Sequence, residues 1–250
     1  MNFKPIFGFI AGAFLALNLN ASTIKKGELI VATEGTYSPY SFYDEKGELV
    51  GYDVDIAKAV AKKLNLKIDF LTAPWDAMLA AFDAGKADVV FNQVSINEDR
   101  KKKYDMSVPY TMPYPVIVVH KDNNDIKSFA DLKGKKSVHS ATSNWAAIAE
   151  KNGATVVVAD GFSKGVELII SKRADDTIND NVTFFDYIKQ RPNAPLKIAY
   201  TSNEPMPTAA LLKKGNTELL EAINKALDEL KAEGKISEIS MKYFGKDISK

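Results

Sequence analysis

The sequence predicts an α/β protein made of two similar units. Three observations carry that expectation. Short apolar runs alternate with stretches in which apolar residues recur every three or four positions, the pattern of β-α-β chains. The segment Ala87-Asp88-Val89-Val90-Phe91-Asn92-Gln93 is echoed by Ala174-Asp175-Asp176-Thr177-Ile178-Asn179-Asp180, which keeps the Ala-Asp pair and the Asn and sets Gln93 opposite Asp180. After the N-terminal stretch, no apolar run approaches the roughly 20 residues a membrane-spanning helix needs. The echo suggests two lobes whose strand ends face one cleft. Chance likeness over so short a span is the alternative.

Residues 1–21 open with a single lysine, Lys4, continue through an apolar run over 6–17 and end in Asn18-Leu19-Asn20-Ala21. That is the order of a signal peptide cut after Ala21. The apolar run is too short for an anchor, so residues 22–250 are expected to be exported and soluble. The sequence has Cys 0, which excludes a lipoprotein cysteine, disulfides and thiolate chemistry. Lys+Arg 33 against Asp+Glu 32 gives a formal net charge of +1, without the basic excess that nucleic-acid binding needs. No metal-ligand spacing, nucleophile motif or phosphate loop is present, so neither metal nor cofactor is expected.

Taken in order, Glu28–Thr33 (ELIVAT) is strand-like, and Glu34-Gly35-Thr36-Tyr37-Ser38-Pro39-Tyr40 is a turn-rich loop dense in aromatics. Asp44-Glu45-Lys46-Gly47-Glu48 reads as a polar hairpin turn. Val54, Ile56, Ala57, Val60, Ala61 and Leu64 recur at helical spacing. Lys67–Thr72 is a second strand with Trp75 just past its end, and residues 78–84 are helical. Asp88-Val89-Val90-Phe91 is a buried parallel strand. It opens into Asn92, Gln93, Ser95 and Asn97, too polar all to be core. The second unit has strands over 114–119, 136–139, 156–159 and 174–179, a short helix at 129–132 and longer helices at 145–151 and 165–172. Residues 218–243 are mostly helical, with Leu219, Leu220, Ile223, Leu227 and Leu230 on one face. Asp176 is awkward, because a carboxylate within a buried strand needs a partner.

Ligands of open α/β sheets sit just past the carboxyl ends of the strands. There the first unit offers Ser95 and then Arg100, one of three arginines in a lysine-rich chain. A forked guanidinium pairs both oxygens of a carboxylate; a surface Arg on a solvated loop is the alternative. Thr142 and Ser143 precede a helix, where free N–H groups and the helix dipole favour an anion. An ordinary N-cap Ser has the same pattern. Asp180 at a strand end either accepts an ammonium or caps the turn into Val182. Tyr37, Tyr40, Phe42 and Trp75, read as loop residues, either wall a pocket or form satellite core. Arg100, the Thr142 helix end, Ser95 and Asp180 together complement a zwitterion.

These residues belong to longer motifs: Glu34-Gly35-Thr36-Tyr37-Ser38-Pro39-Tyr40-Ser41-Phe42, Gly51-Tyr52-Asp53-Val54-Asp55, Trp75-Asp76-Ala77-Met78-Leu79, Asn92 through Asp105, and Ser107-Val108-Pro109-Tyr110-Thr111. Through them essentially the whole mature chain resembles the family 3 periplasmic solute-binding proteins, the amino-acid-binding components of ABC importers. Asn92-Gln93-Val94-Ser95, with Glu34-Gly35-Thr36-Tyr37 and Trp75-Asp76, is similar to the cystine-binding branch. The resemblance implies the two-lobed type II periplasmic-binding-protein fold, each lobe a mostly parallel sheet flanked by helices. Residues 22–111 and 208–250 would form lobe 1, residues 112–207 lobe 2, with hinge crossovers near 111–113 and 205–208. It implies a periplasmic monomer that hands an amino acid to a permease with its cytoplasmic ATPase. L-cystine stands ahead of glutamine, glutamate or a basic amino acid.

Residue by residue, the resemblance implies that Arg100 grips the ligand α-carboxylate with N–H groups of Ser95 and Thr142. Asp180 takes the α-ammonium with the Ser95 hydroxyl and the Gln93 carbonyl. Tyr37 and Trp75 sandwich the side chain, Glu34 touches the distal end of a long ligand, and Asn92 and Ser143 complete the expected set. Ala141, where many members have Gly, and Ser143-Asn144-Trp145 depart from the family pattern at the side-chain end. The rival class is a periplasmic dehydratase on the same fold, with Glu34 or His139 as acid or base; His120 reads as a strand-end surface residue. A receptor or adhesin that kept the fold is a third reading.

Overall fold

The computed structural model describes residues 22–250; the expected signal peptide lies outside them. Strand β1 (Glu28–Thr33) leads through a small sheet of β2 (Thr36–Tyr37), β3 (Ser41–Tyr43) and β4 (Leu49–Val50) into helix α1 (Tyr52–Lys63). Then come β5 (Lys67–Thr72), α2 (Trp75–Asp83), β6 (Val89–Ser95), α3 (Glu98–Lys103) and β7 (Tyr104–Met106). The chain crosses over into β8 (Pro115–His120), a 3-10 turn (Phe129–Leu132), β9 (Lys136–His139), α4 (Asn144–Lys151) and β10 (Thr155–Val158). Next follow α5 (Phe162–Ile170), β11 (Asp176–Asp180), α6 (Asn181–Gln190) and β12 (Leu196–Thr201). It returns as β13 (Thr208–Lys213), α7 (Thr217–Ala232) and α8 (Lys235–Phe244).

Two five-stranded sheets result, in the orders β5-β1-β6-β13-β7 and β10-β9-β11-β8-β12, and each is the centre of a lobe. Both are mixed. β1 runs parallel to β5 and β6, while β13 runs antiparallel to β6 and β7. Likewise β9 runs parallel to β10 and β11, and β8 antiparallel to β11 and β12. Half the pairings are therefore parallel, because the strand by which the chain enters or re-enters each lobe runs back against the others. The echoed segments take equivalent places: β6 and β11 each lie between a parallel neighbour and that reversed strand.

Burial explains the apolar runs. On β8, Val116 and Val118 join the cluster under α5 and α6. Ile117 and Val119 join Ala149 and Ile178 under α4. A strand covered on both faces needs apolar residues at every position. In the first lobe, Val31, Ile56, Phe91, Ile223 and Leu227 pack α1 and α7 onto one face, and Met78, Phe82 and Val90 pack α2 onto the other.

Several elements depart from expectation. β12, β13 and α6 were not foreseen. Thr208–Lys213 reads TAALLK, rich in residues that favour helix when unpaired, and ladders to β6 and β7 override that preference. The helical stretch over 218–243 is two helices separated at Gly234, whose φ of 73° lies where glycine is favoured. Asn92, Gln93 and Ser95 are all buried, at 2%, 8% and 2% exposure, although their polarity argued otherwise. The two crossovers run side by side: Thr208 N–H donates to the Thr111 carbonyl at 3.0 Å and Met206 N–H to the Pro113 carbonyl at 2.8 Å.

Candidate functional site

Between the lobes lies a cleft with about 560 Å³ of empty space, open solvent included. Glu34, Tyr37, Trp75, Asn92 and Gln93 line it from the first lobe. His139, Ser143, Asn144, Trp145, Gly161, Phe162 and Asn179 line it from the second. The structure thus gathers six of the expected residues at one cavity. Ser95, Arg100, Thr142 and Asp180 are not part of its lining. Three readings of the aromatics are corrected: Tyr37 lies in β2, Phe42 lies in β3, and Trp75 is the first residue of α2, so none of the three is a loop residue.

Arg100 is placed by its own helix. Asn97 caps α3 by accepting from the Arg100 N–H at 2.8 Å, and the guanidinium turns back so that Nη1 donates to the Ser95 carbonyl at 2.9 Å. Its Cζ sits 5.3 Å from the centre of the Trp75 ring, a cation–π contact. No carboxylate lies within ion-pair distance of it among the described residues. Burial lowers its pKa to about 10, so it remains a cation at neutral pH.

Glu34 is held in the cavity wall by Asn92. The Asn92 amide donates to Glu34 Oε2 at 2.7 Å, and its carbonyl accepts from the Glu34 N–H at 2.8 Å. Burial, partly offset by the Asn92 donor, pushes the Glu34 carboxyl up to about 7. Gly161 from the other lobe faces Glu34, since a Cβ there would stand 4.0 Å from Oε1.

Gln93 serves the framework with its side chain. Its N–H and its amide Nε2 both donate to the buried carboxyl of Asp53, at 2.9 and 2.7 Å. Nε2 also reaches Thr111 Oγ1 at 3.3 Å, and Thr208 Oγ1 donates to Gln93 Oε1 at 3.0 Å. One side chain thereby ties the N-terminus of α1 to both crossovers. Gln93 takes a φ of 48°, an uncommon conformation for a residue with a Cβ.

The lobes are joined by their own side chains. Asp76 at the start of α2 accepts from the N–H of Ala141 at 3.0 Å and of Thr142 at 2.9 Å, and from Thr142 Oγ1 at 2.6 Å. Trp75 Nε1 donates to Thr142 Oγ1 at 2.9 Å. The Thr142 N–H expected to face a ligand carboxylate is thus held by the carboxylate of Asp76. Ser143 is the N-cap of α4, accepting from Ala146 N–H at 3.1 Å.

Asp180 is the N-cap of α6, and it accepts from Thr183 N–H and Oγ1, both at 2.8 Å. The Tyr37 and Tyr40 hydroxyls reach it from the first lobe, each at 3.0 Å. The Tyr37 hydroxyl also lies 2.8 Å from Asn179 Oδ1. Of the two alternatives for Asp180, the structure shows the cap. Its carboxylate also faces the other lobe through the Tyr37 and Tyr40 hydroxyls.

Sequence reasoning missed Gly161, Phe162 and Asn179 as cavity residues. Asn179 was legible as the echo of Asn92, which lines the opposite wall. His139 was singled out as an acid or base and does line the cavity, whereas His120 closes β8 beside Asp122, Nδ1 to Oδ2 at 3.4 Å. Among the described residues, no group of three or more His, Asp or Glu side chains is gathered around one point as a metal would require.

A pair of mixed α/β lobes closed over one cavity defines a two-lobed solute-binding protein. The chain belongs to the bacterial extracellular solute-binding proteins, family 3, whose model matches residues 29–246. It is 45% identical over 234 residues to the L-cystine-binding protein TcyA of Bacillus subtilis, covering 93% of this chain and 87% of that one. An ancestral arginine-binding protein bound to glutamine superposes with a TM-score of 0.82 at 42% identity, covering 89% of this chain and 100% of that one. The L-cystine solute receptor of Neisseria gonorrhoeae in its unliganded open conformation is also 42% identical, with 93% and 98% covered, but its TM-score is 0.60. At equal identity, the lower score goes with the open arrangement. The bonds between Asp76 and Thr142 are those of a closed one.

Proposed function

We propose that the protein captures an amino acid with a polar far end, L-cystine foremost, in the cleft between its lobes and delivers it to the permease and cytoplasmic ATPase of an ABC importer. The observation that carries this reading is Arg100. It is a half-buried guanidinium held by one carbonyl and the Trp75 face, with no carboxylate paired to it among the described residues. Leaving such a cation without an anion is costly, and a ligand carboxylate relieves it. In this reading the α-ammonium goes to Asp180, the Ser95 hydroxyl and the Gln93 carbonyl, with the Tyr37 hydroxyl yielding its place. Tyr37 and Trp75 flank the ligand chain, while Glu34, with Asn92 behind it, and Ser143 lie toward the far end. An N–H of Thr142 joins Arg100 only where Asp76 gives it up.

The lobes in this reading are 22–111 with 208–250 and 112–207, hinged at 111–113 and 205–208. Export by cleavage after Ala21 puts the mature monomer in the periplasm. The identity to TcyA supports cystine, and the arginine and glutamine bound in structures of an ancestral arginine-binding protein keep other polar amino acids as competitors.

A thermal-shift screen of amino acids including cystine tests the reading. A ligand bound only by the folded protein adds about 2.7 kcal/mol of stability at a hundredfold excess over its dissociation constant. Arg100→Ala is expected to abolish binding of every free amino acid. Near-normal affinity of that variant by calorimetry would overturn the assignment. Glu34, with its raised pKa in the cavity, favours the dehydratase as the second reading, and formation of product from prephenate or arogenate would establish it.

A further inference from the structure

The second lobe holds a buried polar chain with no part in the bonds above. Asp176 in β11 has 0% exposure, and its Oδ1 is hydrogen-bonded to Ser137 Oγ on the adjacent β9. Ser137 Oγ lies 2.8 Å from His139 Nε2. His139 itself lines the cavity. Its Nδ1 has no partner among the described residues, and it is not one of the fully sealed atoms, so it is open to the cavity.

A chain of single hydrogen atoms has a direction. With a proton on Asp176, the acid donates to Ser137 Oγ, Ser137 donates to His139 Nε2, and the ring hydrogen must sit on Nδ1, facing the cavity. With Asp176 ionised, each donor becomes an acceptor, and Nδ1 faces the cavity as a bare lone pair. Asp176 Oδ2 decides between the two. It is sealed and has no partner. A bare buried oxygen costs less on a neutral acid, where it is the carbonyl, than on a carboxylate.

We propose that His139 is a specificity-determining residue of the cleft. Held as the Nδ1–H tautomer by Ser137 and a protonated Asp176, it donates a hydrogen bond to an oxygen on the far part of the bound amino acid. The ligand half of this inference rests on the amino-acid reading above; the relay does not.

The surroundings agree. Burial pushes the Asp176 carboxyl up to about 7 and holds His139 down at about 3, so the ring is neutral. Asp175 adds to the rise of Asp176, and Lys135 opposes it. On the packed elements, Lys136 of β9, Glu150 and Lys151 of α4, and Lys164 and Glu167 of α5 are exposed. His120 of β8 is turned to Asp122, Asp180 of β11 is occupied by its cap, and β10 carries no charge. Glu34 lines the same cavity from the opposite lobe.

The sequence has His 2, so His120→Gln leaves His139 as the sole imidazole. In ¹⁵N spectra of that full-length variant near pH 6, His139 is expected neutral with its proton on Nδ1. Raising the pH past about 8 should move the proton to Nε2 as Asp176 ionises. Adding Asp176→Asn, whose amide donates to Ser137 at any pH, should hold the Nδ1–H form throughout. An Nε2–H ring near pH 6, or an imidazolium there, overturns the relay. Calorimetry with L-cystine and with S-methyl-L-cysteine, which keeps the α-groups but lacks the far oxygens, tests the specificity. His139→Ala should weaken cystine about tenfold more than S-methyl-L-cysteine, the loss of one hydrogen bond to a charged acceptor. Equal losses overturn the specificity role. If the unmutated cleft binds neither compound, the cystine reading falls, and the spectra alone decide the relay.

Discussion

Asp180 shows how much one carboxylate can be asked to do. It caps α6 and receives hydroxyls from Tyr37 and Tyr40 across the cleft. Asparagine caps helices as well as aspartate does, so Asp180→Asn should keep α6 while removing the charge an ammonium needs. Calorimetry is expected to show weaker binding of amino acids and little change for their des-amino analogues; equal loss for both would refute the ammonium role. Glu34 supports a prediction in pH. Because its carboxyl is raised to about 7, it is largely protonated near pH 6 and must ionise to hold a distal cation. Affinity for ligands with a distal ammonium should therefore rise between about pH 5.5 and 7.5, and Glu34→Gln should flatten that rise. Arg100 stands out in the sequence because arginine is scarce there and follows Ser95 closely, but it lies outside the cavity lining and its hold on a ligand is a proposal. Asp76 was not. Its role depends on Ala141 and Thr142, far along the chain, and nothing in Trp75-Asp76 announces them.

At the scale of elements, the N-terminus of α2 and the end of β6 set the relation between the lobes. Asp76→Ala removes three acceptor contacts to the second lobe. Solution scattering should register a shift toward a more extended, open population, and an unchanged radius of gyration would count against the strut. Gln93→Ala deprives the buried Asp53 carboxyl of its amide donor and frees both crossovers, at a cost of about 2 kcal/mol in urea unfolding. β6 itself was legible only in part. Its apolar start signalled a strand, but Asn92, Gln93 and Ser95 looked like a loop because their partners come from β1, α1 and β13. β13 was illegible for the complementary reason: Ala and Leu carry no strand preference of their own, and the ladder to β6 makes them one.

For the whole molecule, three buried acids point the same way. Glu34, Asp53 and Asp176 are each raised to about 7 by burial, against ordinary values near 4. Between about pH 4 and 7 the folded chain keeps protons that the unfolded chain has lost, so their contribution to stability falls as pH rises through that window. The melting temperature should decline between about pH 5 and 7.5, and Asp53→Asn should reduce that decline whatever it does to the absolute value. The two-unit plan was visible in the echo of β6 and β11, where the repeat of Ala-Asp and Asn marks equivalent strands. How the units sit against each other was not visible, since it depends on single bonds between residues such as Trp75 and Thr142.

The contact between Asp76 and the Ala141-Thr142 turn is made entirely of protein atoms, so it favours a shut cleft whatever lies inside. A shut cleft admits nothing. Capture then begins from the fraction of molecules standing open, and the observed dissociation constant is the intrinsic one divided by that fraction. Whichever of these bonds remain once a ligand is inside also oppose its release. In the importer reading, unloading becomes a question of force applied between lobes: the membrane partner has to prise one carboxylate from two backbone N–H groups before Arg100 can let go.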